Sequence, residues 1–350
     1  MAVDRETVDD LSIASRARFD AVIDVRSPSE FAEDHIPGAV NLPVLDDDER
    51  AEVGTIYVRQ SRFLARRRGA ALVSRNIARH LEGALGDKPS SFRPLLYCWR
   101  GGMRSGAMAT VLGEVGWRVG VVAGGYKTWR SAVVEALLKS RAPLRLVLLD
   151  GQTGSAKTDL LRRAAKAGAQ ILDLEALARH RGSVFGADPE RGQPTQKQFE
   201  SDIFESLCGL DTARTILVEA ESARIGALSL PRRLWSAMRG APRIEIEAPR
   251  AERARRIVQS YADITADADR LSTMIDRLRP FHAKETVDAW RALAAARALE
   301  RLAEALIEAH YDPLYERARR KRADSPLLRI ALTLLAILAV AMRPAMAQSI

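Results

Sequence analysis

The apolar positions in the first third of the chain fall in short unbroken runs, each followed by a longer mixed stretch. DAVIDVR (residues 20–26), RPLLYC (93–98) and the VGVV within WRVGVVAGG (117–125) are runs of this kind. They are too short for helices and show no polar alternation, so they predict strands buried on both faces of a parallel sheet. The stretches between them carry helical spacing. Ser27 before Pro28, with Glu30 close behind, starts a short helix. Ile36-Pro37-Gly38 turns the chain into a short strand over 39–42. Residues 46–86 read as helical and heavily charged, 104–116 as a helix closed by glycine, and YKTWRSAVVEALLKS as another helix. Such alternation of strand and helix marks an α/β domain with a parallel sheet, here residues 1–140.

After a linker at Arg141-Ala142-Pro143 the pattern restarts as a second α/β unit over 141–322. An apolar strand at 144–149 leads into a glycine-containing loop and a helix. Further strands are expected at 215–219 (TILVE) and 243–247 (RIEIE), and from about 250 to 322 the spacing is almost wholly helical. The end of the chain, 323–350, is different in kind. RARRKR precedes it, and IALTLLAILAVAM (330–342) is an apolar run of thirteen residues. A membrane-spanning helix needs about 20, so no stable span is expected. A weak anchor, a buried tail helix and a frameshifted tail remain open readings of a non-catalytic appendage.

Composition bounds the function. A chain of 350 residues with 47% hydrophobic content can build two ordinary cores. Two cysteines exclude a disulfide scaffold or a zinc-type pair spacing, and MAVDRETVDD is no secretory signal, so a cytoplasmic protein is expected. A net charge of +9 favours anionic partners such as nucleic acid or phosphorylated metabolites. A GC-rich genome that encodes arginine wherever a solvated cation will do accounts for the same number equally well.

Candidate chemistry starts at Cys98. It ends a buried strand, just before a helix, at the sheet edge where α/β proteins bind ligands. Gly101 and Gly102 let the backbone curl so that several N–H groups point inward. The helix dipole, Arg100 and Arg104 add positive character. All of these stabilise a thiolate, or a larger anion carried on that sulfur. Cys208, in FESLCGLD, reads as an ordinary core residue. DVRSPSEF, HIPGAVNLP, the loop after Cys98 and AGGYKTW together resemble a rhodanese domain across residues 20–129. That resemblance implies a cysteine that carries a transferable chalcogen atom, with Asp24 and Arg26 supporting its loop.

The second site is Gly151-Gln152-Thr153-Gly154-Ser155-Ala156-Lys157-Thr158, between a strand and a helix. Backbone N–H groups of such a loop wrap a phosphate, Lys157 adds charge, and Thr158 is the candidate magnesium ligand. The pattern calls for glycine where Ala156 stands; its methyl is harmless at negative φ and intrusive at positive φ. Glu219 and Glu221 (ILVEAES) are the acidic candidates at a second strand end.

A rhodanese-like parallel-sheet domain followed by a P-loop NTPase-like α/β domain with a helical C-terminal region resembles the tRNA 2-selenouridine synthase family. DDDERAEVGTIY, LDLEALARHRGSVFG, QPTQKQFE, VEAESARIG and HYDPLY extend the likeness over residues 10–316. The resemblance implies a tRNA whose wobble 2-thiouridine is S-geranylated with geranyl diphosphate and then selenated from selenophosphate, with Cys98 presenting selenium as a perselenide. It implies no tightly bound cofactor, with magnesium as an optional one, and a selenophosphate-producing enzyme as a further partner. His180-Arg181-Gly182-Ser183 with Gln193, Gln196 and Lys197 is a candidate binding loop. The arginines of 250–322 are candidate tRNA contacts, and Tyr97, Trp99 and Tyr126 candidate stacking partners for a base. Two rival readings are a small-molecule sulfurtransferase with a regulatory nucleotide-binding domain, and a basic RNA-binding scaffold without activity.

Overall fold

The structure is a computed structural model that describes residues 5–182, 186, 192–320 and 328–331. Its first half runs β1 (Arg5–Val8), α1 (Ile13–Arg16), β2 (Ala21–Asp24), α2 (Pro28–Glu33), β3 (Val40–Asn41), α3 (Asp47–Arg59), α4 (Arg62–Glu82), β4 (Pro94–Tyr97), α5 (Met103–Val115), β5 (Val119–Val122) and α6 (Tyr126–Val134). The five strands form one parallel sheet in the order β1-β5-β4-β2-β3. The strands expected at 20–26, 93–98 and within 117–125 are its three central members, and β4 is buried along its whole length. β1 was not expected. RETV has no strand signal of its own, and pairing with β5, with Val8 the buried end, makes it one.

The second half runs β6 (Leu146–Gly151), α7 (Lys157–Lys166), β7 (Gln170–Leu172), α8 (Leu174–Ala178), α9 (Gln196–Cys208), β8 (Ile216–Glu219), a small hairpin of β9 (Arg224–Ile225) and β10 (Leu228–Ser229), α10 (Arg232–Arg239) and β11 (Arg243–Glu247). Six further elements follow: α11 (Arg250–Ser260), α12 (Ala262–Thr265), α13 (Ala268–Asp276), α14 (Lys284–Ala295), α15 (Leu299–Leu306) and α16 (Asp312–Arg320). The second sheet is also parallel, ordered β12-β11-β6-β8-β7, where β12 is Leu328–Ala331. Of the tail, Leu328–Ala331 is described, and it is an exposed edge strand beside β11. Residues 332–342 of the apolar run lie outside the described residues. No helix among those described is long and apolar enough to cross a membrane.

One apolar cluster joins the two sheets. It contains Tyr97, Val122 and Trp129 from the first half and Leu148, Leu172, Phe199 and Ile203 from the second. Helix α9 makes the joint. Its apolar face enters the cluster, and its polar face meets the first half. The Trp129 indole donates to Ser201 Oγ at 3.1 Å, the His35 amide donates to Gln198 Oε1 at 2.9 Å, and Arg130 pairs with Glu200. These pairings offset much of the penalty of burying the groups that make them.

Candidate active site

Cys98 follows β4 at its carboxyl end. The thiol is 3% exposed, and its Sγ accepts hydrogen bonds from the Gly102 amide (3.3 Å) and the Ser105 hydroxyl (3.2 Å). Burial pushes the thiol up, yet bonds from the Ser105 hydroxyl and from loop amides more than offset it. The net result holds Cys98 below the ordinary thiol value. The donors are backbone and hydroxyl rather than guanidinium. Arg104 pairs with Glu30 at 2.7 Å, which neutralises much of its charge, and Arg100 is exposed.

The loop keeps its shape by packing against the turn after β5. Gly101 has φ +64°, and a Cβ there would lie 2.7 Å from the Val122 carbonyl oxygen. Gly102 has φ −101° and open space, so only the first of the pair needs to be glycine. At Gly125 (φ +63°) a Cβ would lie 2.3 Å from the Cys98 oxygen and 2.5 Å from the Gly101 nitrogen. Gly125→Ala is therefore expected to open the thiol cradle. The measurement is the pH at which Cys98 is half alkylated by iodoacetamide, which should rise by about one unit or more as donors are lost. An unchanged value would mean the two turns are not coupled.

Asp24 and Arg26 lie beneath this loop. Arg26 pairs with Asp24 (Nη2 to Oδ2, 2.6 Å), donates to the Asp34 carbonyl (2.6 Å), and sits 3.9 Å from the Tyr126 ring centroid. The Tyr126 amide in turn donates to the Cys98 carbonyl at 2.8 Å. Tyr97 and Tyr126 are buried, which removes both as stacking partners for a base; Trp99, 37% exposed, keeps an open face.

The phosphate loop occupies the turn from β6 to α7. Gly154 (φ +84°) packs so tightly on α11 that a Cβ would lie 2.7 Å from the Arg253 carbonyl oxygen. Arg253 is itself buried and pairs with Asp312 through two bonds of 2.8 Å, so the C-terminal helices hold the loop from behind. Ala156 has φ +71°, the unfavourable case for a non-glycine residue. Its methyl packs with Leu149, Leu161 and Ile246. Left-handed strain of about 1–2 kcal/mol is thus partly offset by burial worth about 0.8 kcal/mol per carbon.

Lys157 Nζ donates to the Gly151 carbonyl at 2.7 Å. Thr158 Oγ1 donates to Glu175 Oε2 at 3.2 Å. Glu175, Glu219 and Glu221 each place an oxygen within 4.8 Å of the others. Glu219 is fully buried, and neither of its carboxylate oxygens has a hydrogen-bond partner. Burial first, and repulsion among the three, pushes each up to about 7. Such a cluster is stable only when protonated or when a cation sits among the oxygens. A hard divalent ion such as magnesium fits the donor set. These carboxyls have folded values near 7 against 4.5 unfolded. The stability they contribute is full below about pH 4.5 and is lost as pH rises through about 7. The melting temperature should therefore fall by several degrees between about pH 5 and 7. Magnesium at the upper end should restore it, and Glu219→Gln should blunt both effects. A flat profile that ignores magnesium would count against the cation site.

A cavity of about 900 Å³ opens over this loop. Its lining includes Lys157, Arg162, Arg179, Arg181 and Arg256 together with Ile257, Tyr261, Tyr311 and Leu314; of these cations Arg162 pairs with Asp173, Arg181 with Asp263 and Arg256 with Asp159. At its edge the His310 imidazole meets that of His282 at 2.9 Å.

The two halves match two family models, a rhodanese-like domain over residues 6–132 and a tRNA 2-selenouridine synthase AAA domain over 144–278. Proteins named tRNA 2-selenouridine synthase are similar along most of the chain. The one from Shewanella denitrificans is 36% identical over 263 residues, 73% of this chain and 68% of its own length. The one from Aeromonas salmonicida is 39% identical over 69% of this chain and 64% of its own length. The one from Hahella chejuensis is 35% identical over 335 residues, 87% of this chain and 86% of its own length. The chain belongs to the tRNA 2-selenouridine synthase family.

Within this member of the tRNA 2-selenouridine synthase family the expected residues sort into two groups. Asp24, Arg26, Cys98, Gly101 and Gly102 gather at the first sheet's edge. Residues 151–158, Glu219 and Glu221 gather at the second, because β6 and β8 are neighbours and Leu149 pairs with Glu219. Cys208 is exposed at the end of α9, not a core residue. Gln193, Gln196 and Lys197 brace the fold: Gln193 donates to the Ala178 and Ile225 carbonyls, Gln196 to Ser229, and Lys197 to Glu33. His180 and Arg181 do line the cavity, whereas Ser183 lies outside the described residues. Sequence reasoning gave no role to Ser105, Gly125 or Glu175. Glu175 had a usable signal, an acidic residue just past a short apolar run (QILDLE) like the one at 216–221.

Proposed function

We propose that the chain converts wobble 2-thiouridine of tRNA to 2-selenouridine in two stages, as a geranyl and then a selenium transferase. The observation that carries this reading is the pairing on one chain of a hydrogen-bonded thiol, disposed to ionise, with a cation-lined cavity over a phosphate loop. The cavity lining combines cations with aliphatic and aromatic side chains, the chemistry of geranyl diphosphate.

In the first stage the thiouridine sulfur attacks carbon 1 of the geranyl chain. The new carbon–sulfur bond forms as the carbon–oxygen bond breaks, diphosphate leaves with the electron pair, and the base loses its N3 proton to water. Loop amides and Lys157 stabilise that growing charge, which requires no nucleotide hydrolysis. Thr158 with Glu175, Glu219 and Glu221 would hold magnesium, which supplies further neutralisation of the diphosphate.

Electron balance constrains the second stage. Selenium in selenophosphate is already fully reduced, so a perselenide on Cys98 would demand an oxidant. A redox-neutral course uses Cys98 as the exchanging nucleophile. Its thiolate adds to carbon 2, the bond to the geranylated sulfur breaks, and geranyl thiol leaves with a proton from water. Selenium of selenophosphate then displaces the Cys98 thiolate, and water cleaves the selenium–phosphorus bond to give 2-selenouridine and inorganic phosphate. A selenophosphate-producing enzyme is the partner this chemistry needs, and the cytoplasm is the compartment that holds it together with tRNA.

The experiment is nucleoside mass spectrometry of 2-thiouridine tRNA incubated with protein, geranyl diphosphate and selenophosphate. Selenouridine supports the reading. Unchanged tRNA, with thiosulfate turned over instead, would replace it with a small-molecule sulfurtransferase.

A further inference from the structure

We infer that the helical hairpin α3–α4 is the docking surface for the tRNA phosphate backbone, an inference that rests on the tRNA reading above. Residues 53–81 contain seven arginines and no aspartate or glutamate. Arg59, Arg62, Arg66 and Arg67 are all exposed, and none has a carboxylate partner among the described residues. Unpaired guanidinium groups in a row exchange counterions for phosphates at little cost.

Aromatic surface stands among them. Tyr57 is 47% and Phe63 70% exposed, and the Arg62 guanidinium lies 5.5 Å from the Tyr57 ring. Exposed aromatic faces beside arginine offer stacking to an unpaired base. An ordinary solvated helix face does not account for this pattern, and the same chain supplies the contrast. In the C-terminal helices Arg250 pairs with Glu308, Arg255 with Glu252, Arg279 and Arg291 with Asp276. That region, expected from its composition to meet RNA, has neutralised much of its own charge.

The hairpin is also placed to deliver RNA to the thiol. The inner face of α4 contributes Leu72, Val73 and Ile77 to the cluster that holds Cys98. The first turn of α3 is tied to the same loop, because Glu30 accepts both Arg50 at 3.2 Å and Arg104 at 2.7 Å. Nine residues of helix from Arg50 to Arg59 rise about 14 Å. The arginine end thus begins about one helix length beyond the tie to α5, a span that the stem of a folded RNA covers while its loop reaches inward.

The test compares wild type with a protein carrying Arg59→Gln, Arg62→Gln, Arg66→Gln and Arg67→Gln, substitutions that keep helix propensity. Binding of tRNA is measured by filter retention across salt concentration. The slope of log affinity against log salt should fall by about 3, with at least about tenfold weaker binding near 0.1 M salt. Equal affinity and an equal slope overturn the inference and leave the tRNA reading standing. Wild type that binds no tRNA removes both. Hydrogen exchange on unmutated protein gives a second arm that does not depend on a variant folding. Slower exchange over 57–67 with tRNA is expected, and no protection there overturns the inference. Equal competition by polyglutamate would show a general anion surface and would overturn it as well.

Discussion

Cys98→Ser is expected to stop selenouridine formation by at least about 1000-fold while S-geranyl-2-thiouridine accumulates on the tRNA. The serine hydroxyl fits the same donors, so the fold and the phosphate cavity survive. What is lost is a nucleophile that ionises more readily than an ordinary thiol: Cys98 is held below the ordinary thiol value by the Ser105 and loop bonds, and an alcohol in the same cradle stays protonated. Removing the attacking atom of a covalent step costs several orders of magnitude in rate. Nucleoside mass spectrometry decides it, because the geranylated base and the selenated base differ in mass. A serine variant that still makes selenouridine at the wild-type rate would exclude Cys98 from the exchange.

Lys157→Ala is expected to block the earlier stage, lowering S-geranylation by about 100- to 1000-fold. Lys157 Nζ bonds the Gly151 and Gln152 carbonyls, so it is stored over the loop within reach of an entering phosphate. Removing it leaves the growing diphosphate charge to backbone amides alone. The two variants should separate cleanly: the lysine variant yields unmodified thiouridine, the cysteine variant the geranylated base. The lysine variant should still select geranylated tRNA supplied ready-made and convert it to selenouridine, since that step uses the other sheet edge. If it fails there too, the phosphate loop serves both stages. If it geranylates normally, the diphosphate binds elsewhere.

Much of the fold was legible because buried parallel strands leave unbroken apolar runs. PLLY and VGVV in the first sheet and the strand before the phosphate loop are of that kind. At the sheet margins β3 was legible as the short strand at 39–42, but β1 and β12 were not. RETV at 5–8 and LRIA at 328–331 are strands because a neighbour offers a free edge; RETV has no strand pattern, and the apolar end of LRIA merges into the longer run at 330–342. Cys208 shows the opposite error: apolar neighbours in sequence suggested a core position, but the helix end turns it to solvent.

The chemistry divides along the same line. The cysteine, the glycine-bearing loops, the phosphate-loop lysine and the family likeness follow from local sequence, because each depends on residues next to one another along the chain. Other features depend on residues far apart, and only the tertiary structure decided them. Ser105 becomes a thiol donor because α5 folds back over the cysteine loop. Gly125 becomes indispensable because a second turn packs against the first. Glu175 joins Glu219 and Glu221 because β6, β7 and β8 lie side by side with their carboxyl ends together. Arg104 is claimed by Glu30, several arginines of the C-terminal helices by their carboxylates, and Arg68 of α4 by Glu52, while Arg59, Arg62, Arg66 and Arg67 of the α3–α4 hairpin have no carboxylate partner among the described residues. Sequence states which charges exist; pairing in space decides which of them remain available to a partner.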